Sequence, residues 1–197
     1  MSATTDRATL VETLWPAASV QTWMRNALLA LGGSVLFTLS AKINVPFYPV
    51  PMTMQTLAVL IIGSAFGWRL GAATVLFYLA QGAMGLPVFA GTPEKGIGFA
   101  YMMGPTGGYL LGFAAGALVA GWLAERGWDR SLIRLTIAMF LGHAVIFLFG
   151  TAWLGALIGY EKAWALGVAP FYLATLFKTL LAAACIKAGW SMANLRD

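Results

Sequence analysis

Lys178 and His143 are the two Lys, Arg, His, Asp or Glu residues that lie well inside the long apolar runs of this 197-residue chain. Lys178 stands eight residues after Pro170, about 12 Å along a helix at 1.5 Å per residue. A lysine at the centre of a membrane helix costs roughly 2.5–3.5 kcal/mol on insertion scales. No Asp or Glu lies in the same runs to pair with it. Its counter-charge is then either water or an incoming anion, and a small carboxylate arriving from outside suits the position. The competing reading is an aliphatic stem that carries the amine to an interface. Phe171, Thr175 and Lys178 follow i, i+4, i+7 spacing and share one helix face, as an aromatic wall, a hydroxyl and an ammonium. His143 can donate or accept at neutral pH. It is either a second polar group of that site or a core histidine bonded to a backbone carbonyl.

The elements that hold these groups must be membrane helices. Hydrophobic residues make up 60% of the chain and charged residues 10%, where soluble domains carry about 25% charged. So few charges cannot clothe a water-soluble exterior, and the solvent around most of the surface is lipid. A spanning helix needs roughly 20 apolar residues. The pattern predicts six, over 24–43, 53–67, 68–84, 104–124, 132–158 and 168–190, in a single membrane domain. The second and third are short and nearly abut, which predicts a tight hairpin. Residues 1–22 are mixed polar and acidic and read as a cytoplasmic tail with a turn near Trp15 and Pro16, not as a signal peptide. No internal repeat is visible, which speaks against an inverted-repeat transporter.

Charge placement orients the bundle. With six spans, Arg7, Arg25, Arg69, Arg126, Arg130, Arg134, Lys187 and Arg196 fall on the side of the termini, against Lys42, Lys95 and Lys162 on the other. By the positive-inside rule both termini are cytoplasmic. The basic excess is therefore an orientation signal, not one for nucleic acid. Gly104, Gly108, Gly112 and Gly116 recur every four residues, a stripe that lets a neighbouring backbone approach closely. Ala30, Ser34 and Thr38 repeat the spacing on the first span, either for packing within the chain or for docking of another membrane protein.

The loops opposite the termini, VPFYPVPMT and GLPVFAGT, are apolar and Pro-rich. Phe47, Tyr48, Phe89 and Tyr101 either close over an apolar ligand or anchor at headgroup level. One cysteine, Cys185, excludes an internal disulfide and any Cys-based metal centre. There is no GxxxxGK[ST] loop, no intramembrane carboxylate for a proton relay and no nucleophile–base pair. The chain reads as neither an ATPase nor any other enzyme, and calls for no cofactor or metal.

Five segments carry a resemblance: PVPMTMQTLAVLIIG (49–63), YLAQGAMGLPVFAG (78–91), GPTGGYLLGF (104–113), GHAVIFLFGTAWL (142–154) and PFYLATLFK (170–178). In this order they resemble the BioY family, the biotin-capturing S components of energy-coupling-factor (ECF) transporters. The resemblance implies a six-helix S-component bundle in the cytoplasmic membrane that binds biotin near its outer face. It also implies a transmembrane coupling subunit and ABC-type ATPases as partners, with Ala30 and Ser34 nearest to the family's docking stripe. Lys178, Thr175 and His143 would meet the ligand, and Tyr78, Gln55, Phe89, Tyr109 and Phe171 would build the walls. Two positions depart from the family: Thr175 stands where it commonly has Asp, and His143 where it commonly has Asn. Either His143 compensates or ligand preference differs. An S component for another carboxylated vitamin and a non-transport membrane scaffold are the alternative readings.

Overall fold

The structure is a computed structural model that describes residues 8–16, 22–46 and 48–195; Phe47, Arg7 and Arg196 lie outside the described residues. Short helix α1 (Leu10–Leu14) is followed by α2 (Thr22–Lys42) and an antiparallel strand pair, β1 (Asn44–Val45) with β2 (Met52–Thr53). Then come α3 (Gln55–Ala83), α4 (Gly98–Met102), α5 (Gly107–Glu125), α6 (Leu132–Ile158), α7 (Tyr160–Gly167) and α8 (Tyr172–Asn194). Of these, α2, α3, α5 and α6, together with the run from α7 through α8, are long and apolar enough to cross a membrane.

The run α3 is two helical arms. Gly67 adopts φ +80°, ψ 171°, outside helical space, a conformation open to glycine because it has no Cβ. The arms fold back on each other so closely that a Cβ on Gly71 would lie 2.9 Å from the Gly63 Cα. The described residues thus form an all-α membrane bundle of six long helical segments. The Glu125 carboxylate, at the end of α5, accepts from the Trp68 N–H at 3.1 Å and so caps the first turn of the second arm.

Glycine spacing sets how the centre packs. The stripe on α5 faces α6: a Cβ on Gly112 would meet the Ile146 carbonyl oxygen at 2.9 Å, and one on Gly116 the Gly142 oxygen at 3.1 Å. The other side of α5 meets the first arm of α3, where a Cβ on Gly63 would stand 2.6 Å from the Ala117 oxygen. Side-chain loss at these positions brings three backbones together, which is how helices associate where lipid supplies no hydrophobic drive. Leu173, Ile133 and Leu148 are among the large apolar side chains left exposed around the outside.

The described ends of the bundle differ. At the end that carries the termini, Thr9 and Glu12 form a reciprocal capping box on α1, at 3.3 and 2.8 Å. Leu10 packs on Gly189 of α8. Buried Asp129 accepts from the Trp190 indole at 2.7 Å, and Arg130 lies across that ring. At the opposite end, α7 and α4 lie within stretches read from sequence as loop or span edge. Glycine and proline punctuation hides helices of eight and five residues.

Gly63→Val would force the α3 and α5 backbones apart. It is expected to lower thermal stability in detergent by about 1–3 kcal/mol or more. A Cβ at Gly32 of α2 meets nothing within 4 Å, so Gly32→Ala is expected to leave the unfolding midpoint unchanged or higher. Comparing the two midpoints checks the packing assignment.

Candidate functional site

A cavity opens at the end of the bundle away from the termini, where β2 and the first turns of α3, α5 and α8 converge. It contains about 570 Å³ of free space counted out to its mouth, open solvent included. Its interior is narrower, with about 50 Å³ open to the centre of a water molecule. A ligand larger than a few waters must push the walls apart. Tyr109, Leu110 and Phe113 of α5, Ile146 and Phe147 of α6, and Phe171 give it an apolar wall. Polar groups converge from the other side: Gln55, Thr56, Thr106, Thr175 and Lys178. No lining residue is a carboxylate.

Lys178 decides the electrostatics. It stands six residues into α8 and is 6% exposed. Its ammonium donates to the Thr53 backbone carbonyl at 2.6 Å, and among the described residues no carboxylate pairs with it. An ammonium has three donors, so one carbonyl leaves it under-satisfied. One hydrogen bond to a charged group returns about 1.5–3 kcal/mol, against roughly 2.5–3.5 for placing the cation in the membrane. The one hydrogen bond thus offsets most of the cost of placing the lysine there.

The carbonyl that receives Lys178 comes from the strand pair. Met54 N–H bonds the Ser40 and Ile43 carbonyls at 3.2 and 3.1 Å, tying the start of α3 to the end of α2. Gln55 follows at once and is 3% exposed. Its amide nitrogen donates to the Tyr78 hydroxyl at 2.7 Å, and the Thr53 hydroxyl donates to its oxygen at 3.3 Å. The amide is oriented before any ligand arrives. The Tyr109 hydroxyl donates to the Gly167 carbonyl at 2.8 Å, fastening the aromatic wall to the end of α7. Phe147 lies edge-on between Tyr109 and Phe171, with ring centres 6.3 and 6.2 Å away.

The residues singled out from sequence divide into three groups. Lys178, Thr175, Gln55, Tyr109 and Phe171 line the cavity together. Tyr78, Phe89 and His143 do not line it. Tyr78 and Phe89 are 0% and 1% exposed and pack behind it, ring centres 5.5 Å apart. His143, 1% exposed, sits one helical turn nearer the termini than Phe147, its Nδ1 3.0 Å from the Thr179 hydroxyl. Its Nε2 has no hydrogen-bond partner among the described residues. On α2, Ser34 turns inward to the Gln81 side chain, and Ala30 is half-buried. Tyr101 lines the cavity and Tyr48 is 85% exposed.

Sequence reasoning passed over Thr53, Thr106, Phe113 and Phe147. Thr53 acts through its main-chain carbonyl, which no side-chain pattern reports. Phe147 was legible as the residue one turn beyond His143 on the same face.

Comparison with known proteins identifies the family and the fold. A family model described as the BioY family matches residues 9–194. The probable biotin transporter BioY of Pyrococcus horikoshii is 39% identical over 147 residues, 75% of this chain and 85% of that one. The biotin transporter BioY of Thermotoga maritima is 37% identical over 161 residues, 81% and 92% of the two chains. A crystal structure described as the S-component for biotin from an ECF-type ABC transporter superposes with a TM-score of 0.76, over 87% of this chain and 94% of that one. At 20% identity, that likeness speaks to the fold.

Lys178→Met relieves the buried charge and leaves one backbone carbonyl unpaired. Relief of roughly 2.5–3.5 kcal/mol offsets the 1–3 kcal/mol of an orphaned acceptor. The ligand-free variant is expected to unfold at the wild-type midpoint or above it. A fall of several degrees in a thermal melt would show that Lys178 holds the bundle together.

Proposed function

The chain belongs to the BioY family, and on that premise we propose that it captures biotin in the cavity beside Lys178 as the S component of an ECF-type transporter. It is a transport protein, not an enzyme. What carries the reading is the buried ammonium with a single carbonyl partner, in a cavity whose lining holds no acid. A ligand carboxylate 4 Å from it would gain about 4 kcal/mol at an effective dielectric constant of 20. The Gln55 amide and the hydroxyls of Thr56, Thr106 and Thr175 offer donors and acceptors for a polar heterocycle. Tyr109, Phe147 and Phe171 suit an apolar chain between the two ends. His143 lies outside the lining and pairs with Thr179, the residue after Lys178.

The terminal side, with the Arg residues of the α3 turn and the α5–α6 link, is assigned to the cytoplasm, so biotin enters from outside. Within an ECF complex, a transmembrane coupling subunit and paired ATPases supply the energy that this chain cannot. The docking side is α2, which packs on α3 and exposes Leu28, Leu31, Val35 and Leu39 in the membrane. Ala30 borders that face, while Ser34 supports it from behind.

Thr175 supplies a hydroxyl where the family commonly has a carboxylate, so substrate identity is the point to test. Detergent-purified protein is expected to bind labelled biotin in the nanomolar class, roughly −12 kcal/mol. Unlabelled biotin should displace it, and other carboxylated vitamins at equal concentration should not. Tight binding of another such vitamin with none of biotin would move the protein to a different substrate.

A further inference from the structure

Part of the cavity lining comes from a link that is itself neither helix nor strand. The link between α3 and α4 contributes Ala90 to the lining. Around Ala90 the main chain is irregular, so its carbonyls need other partners. Thr92 within the segment donates its hydroxyl to the Phe89 carbonyl at 2.7 Å, and side chains from three helices supply the other partners. Tyr78 of α3 donates to the Val88 carbonyl at 3.0 Å, and Tyr101 of α4 to the Ala90 carbonyl at 2.7 Å. Lys42, the last residue of α2, donates to the Phe89 carbonyl at 3.1 Å, the Thr92 carbonyl at 2.9 Å and the Thr92 hydroxyl at 3.3 Å. Three acceptors match the three donors of an ammonium. The Phe89 ring anchors the same segment, stacked on Tyr101 at 5.0 Å and fitted against Gly82, where a side chain would overlap it.

We propose that Lys42 is a positioning residue of the ligand site, acting through backbone and not through contact with the ligand. It is absent from the cavity lining, yet it bridges two carbonyls on either side of Ala90 and fastens them to the end of α2. Without it, the segment keeps the tyrosine bonds at Val88 and Ala90 and its own Thr92–Phe89 and Lys95–Gly91 bonds, but loses the tie that fastens it to the end of α2. The wall would then sample several positions, and binding would have to order it. A lysine on the exposed side of a membrane bundle would otherwise be read as a solvated charge.

The inference rests on the cavity being the biotin site, so Lys178→Met accompanies the test. Biotin affinity, dissociation rate and hydrogen exchange of residues 88–96 are measured for wild type, Lys42→Met, Lys42→Gln and Lys42→Arg. Lys42→Met is expected to weaken binding about fivefold or more, speed dissociation and raise exchange in 88–96, with the ligand-free unfolding midpoint unchanged. Lys42→Arg, whose fork can still bridge two carbonyls, should restore affinity to within about twofold. Lys42→Gln carries the same expectation as Lys42→Met, should the latter fold poorly. Wild-type affinity and exchange in Lys42→Met, beside weakened binding in Lys178→Met, would overturn the proposal and spare the site. Wild-type affinity in both variants would remove the site and this inference together.

Discussion

The constraint on which the rest of this structure depends is a lysine buried near one end of a lipid-facing bundle, with a single backbone carbonyl as its partner among the described residues. Membrane helices tolerate a lysine when something offsets its desolvation. Here the offset is partial: the Thr53 carbonyl satisfies one of three donors, and no acid lines the space beside it. A site tuned for stability alone would hold a methionine or a buried ion pair. One left under-bonded has room for a further acceptor, which is what the proposed ligand would supply.

The fold serves this arrangement through close backbone approach. Folding α3 back at Gly67 brings Gln55 of the first arm, which lines the cavity, within hydrogen-bond reach of Tyr78 of the second. Glycine contacts draw α3, α5 and α6 together at the centre. Towards the termini Leu60, Leu135, Met139 and Ile186 fill one core. Towards the other end the helices give way to the strand pair and to α4, which contribute Thr53 and Tyr101 to the cavity lining. Irregular backbone at membrane depth is tolerated where it lines a cavity, and the side-chain donors around Val88–Thr92 show how its carbonyls are satisfied.

Much of this was legible in the residues. Periodicity and composition marked the apolar segments, and the glycine stripe announced the α5–α6 contact. Lys178, Thr175 and Phe171 read as one face because helical spacing leaves them no alternative. Gln55 and Tyr109 entered through the family resemblance, and the structure brings both to the cavity. What escaped was of two kinds. Tyr78 and Phe89 look like pocket walls in a linear motif but stand one layer back, because the Gly82 contact and the Val88 carbonyl draw them away. The Thr53 carbonyl and the Lys42 bridge depend on main-chain direction in loops. Side-chain identity carries no signal for that direction.

The central claim is that the ligand supplies the acceptor that Lys178 lacks. It is tested most directly by measuring biotin affinity for wild type and Lys178→Met, each against biotin and its uncharged primary amide. The account predicts at least a tenfold loss on removing the ammonium, about 1.4 kcal/mol or more, in a protein that remains folded. If the carboxylate is the partner, the wild type prefers biotin over the amide and the variant does not. Equal affinity of both proteins for both ligands would contradict the claim, leaving a BioY fold whose buried lysine has no part in capture.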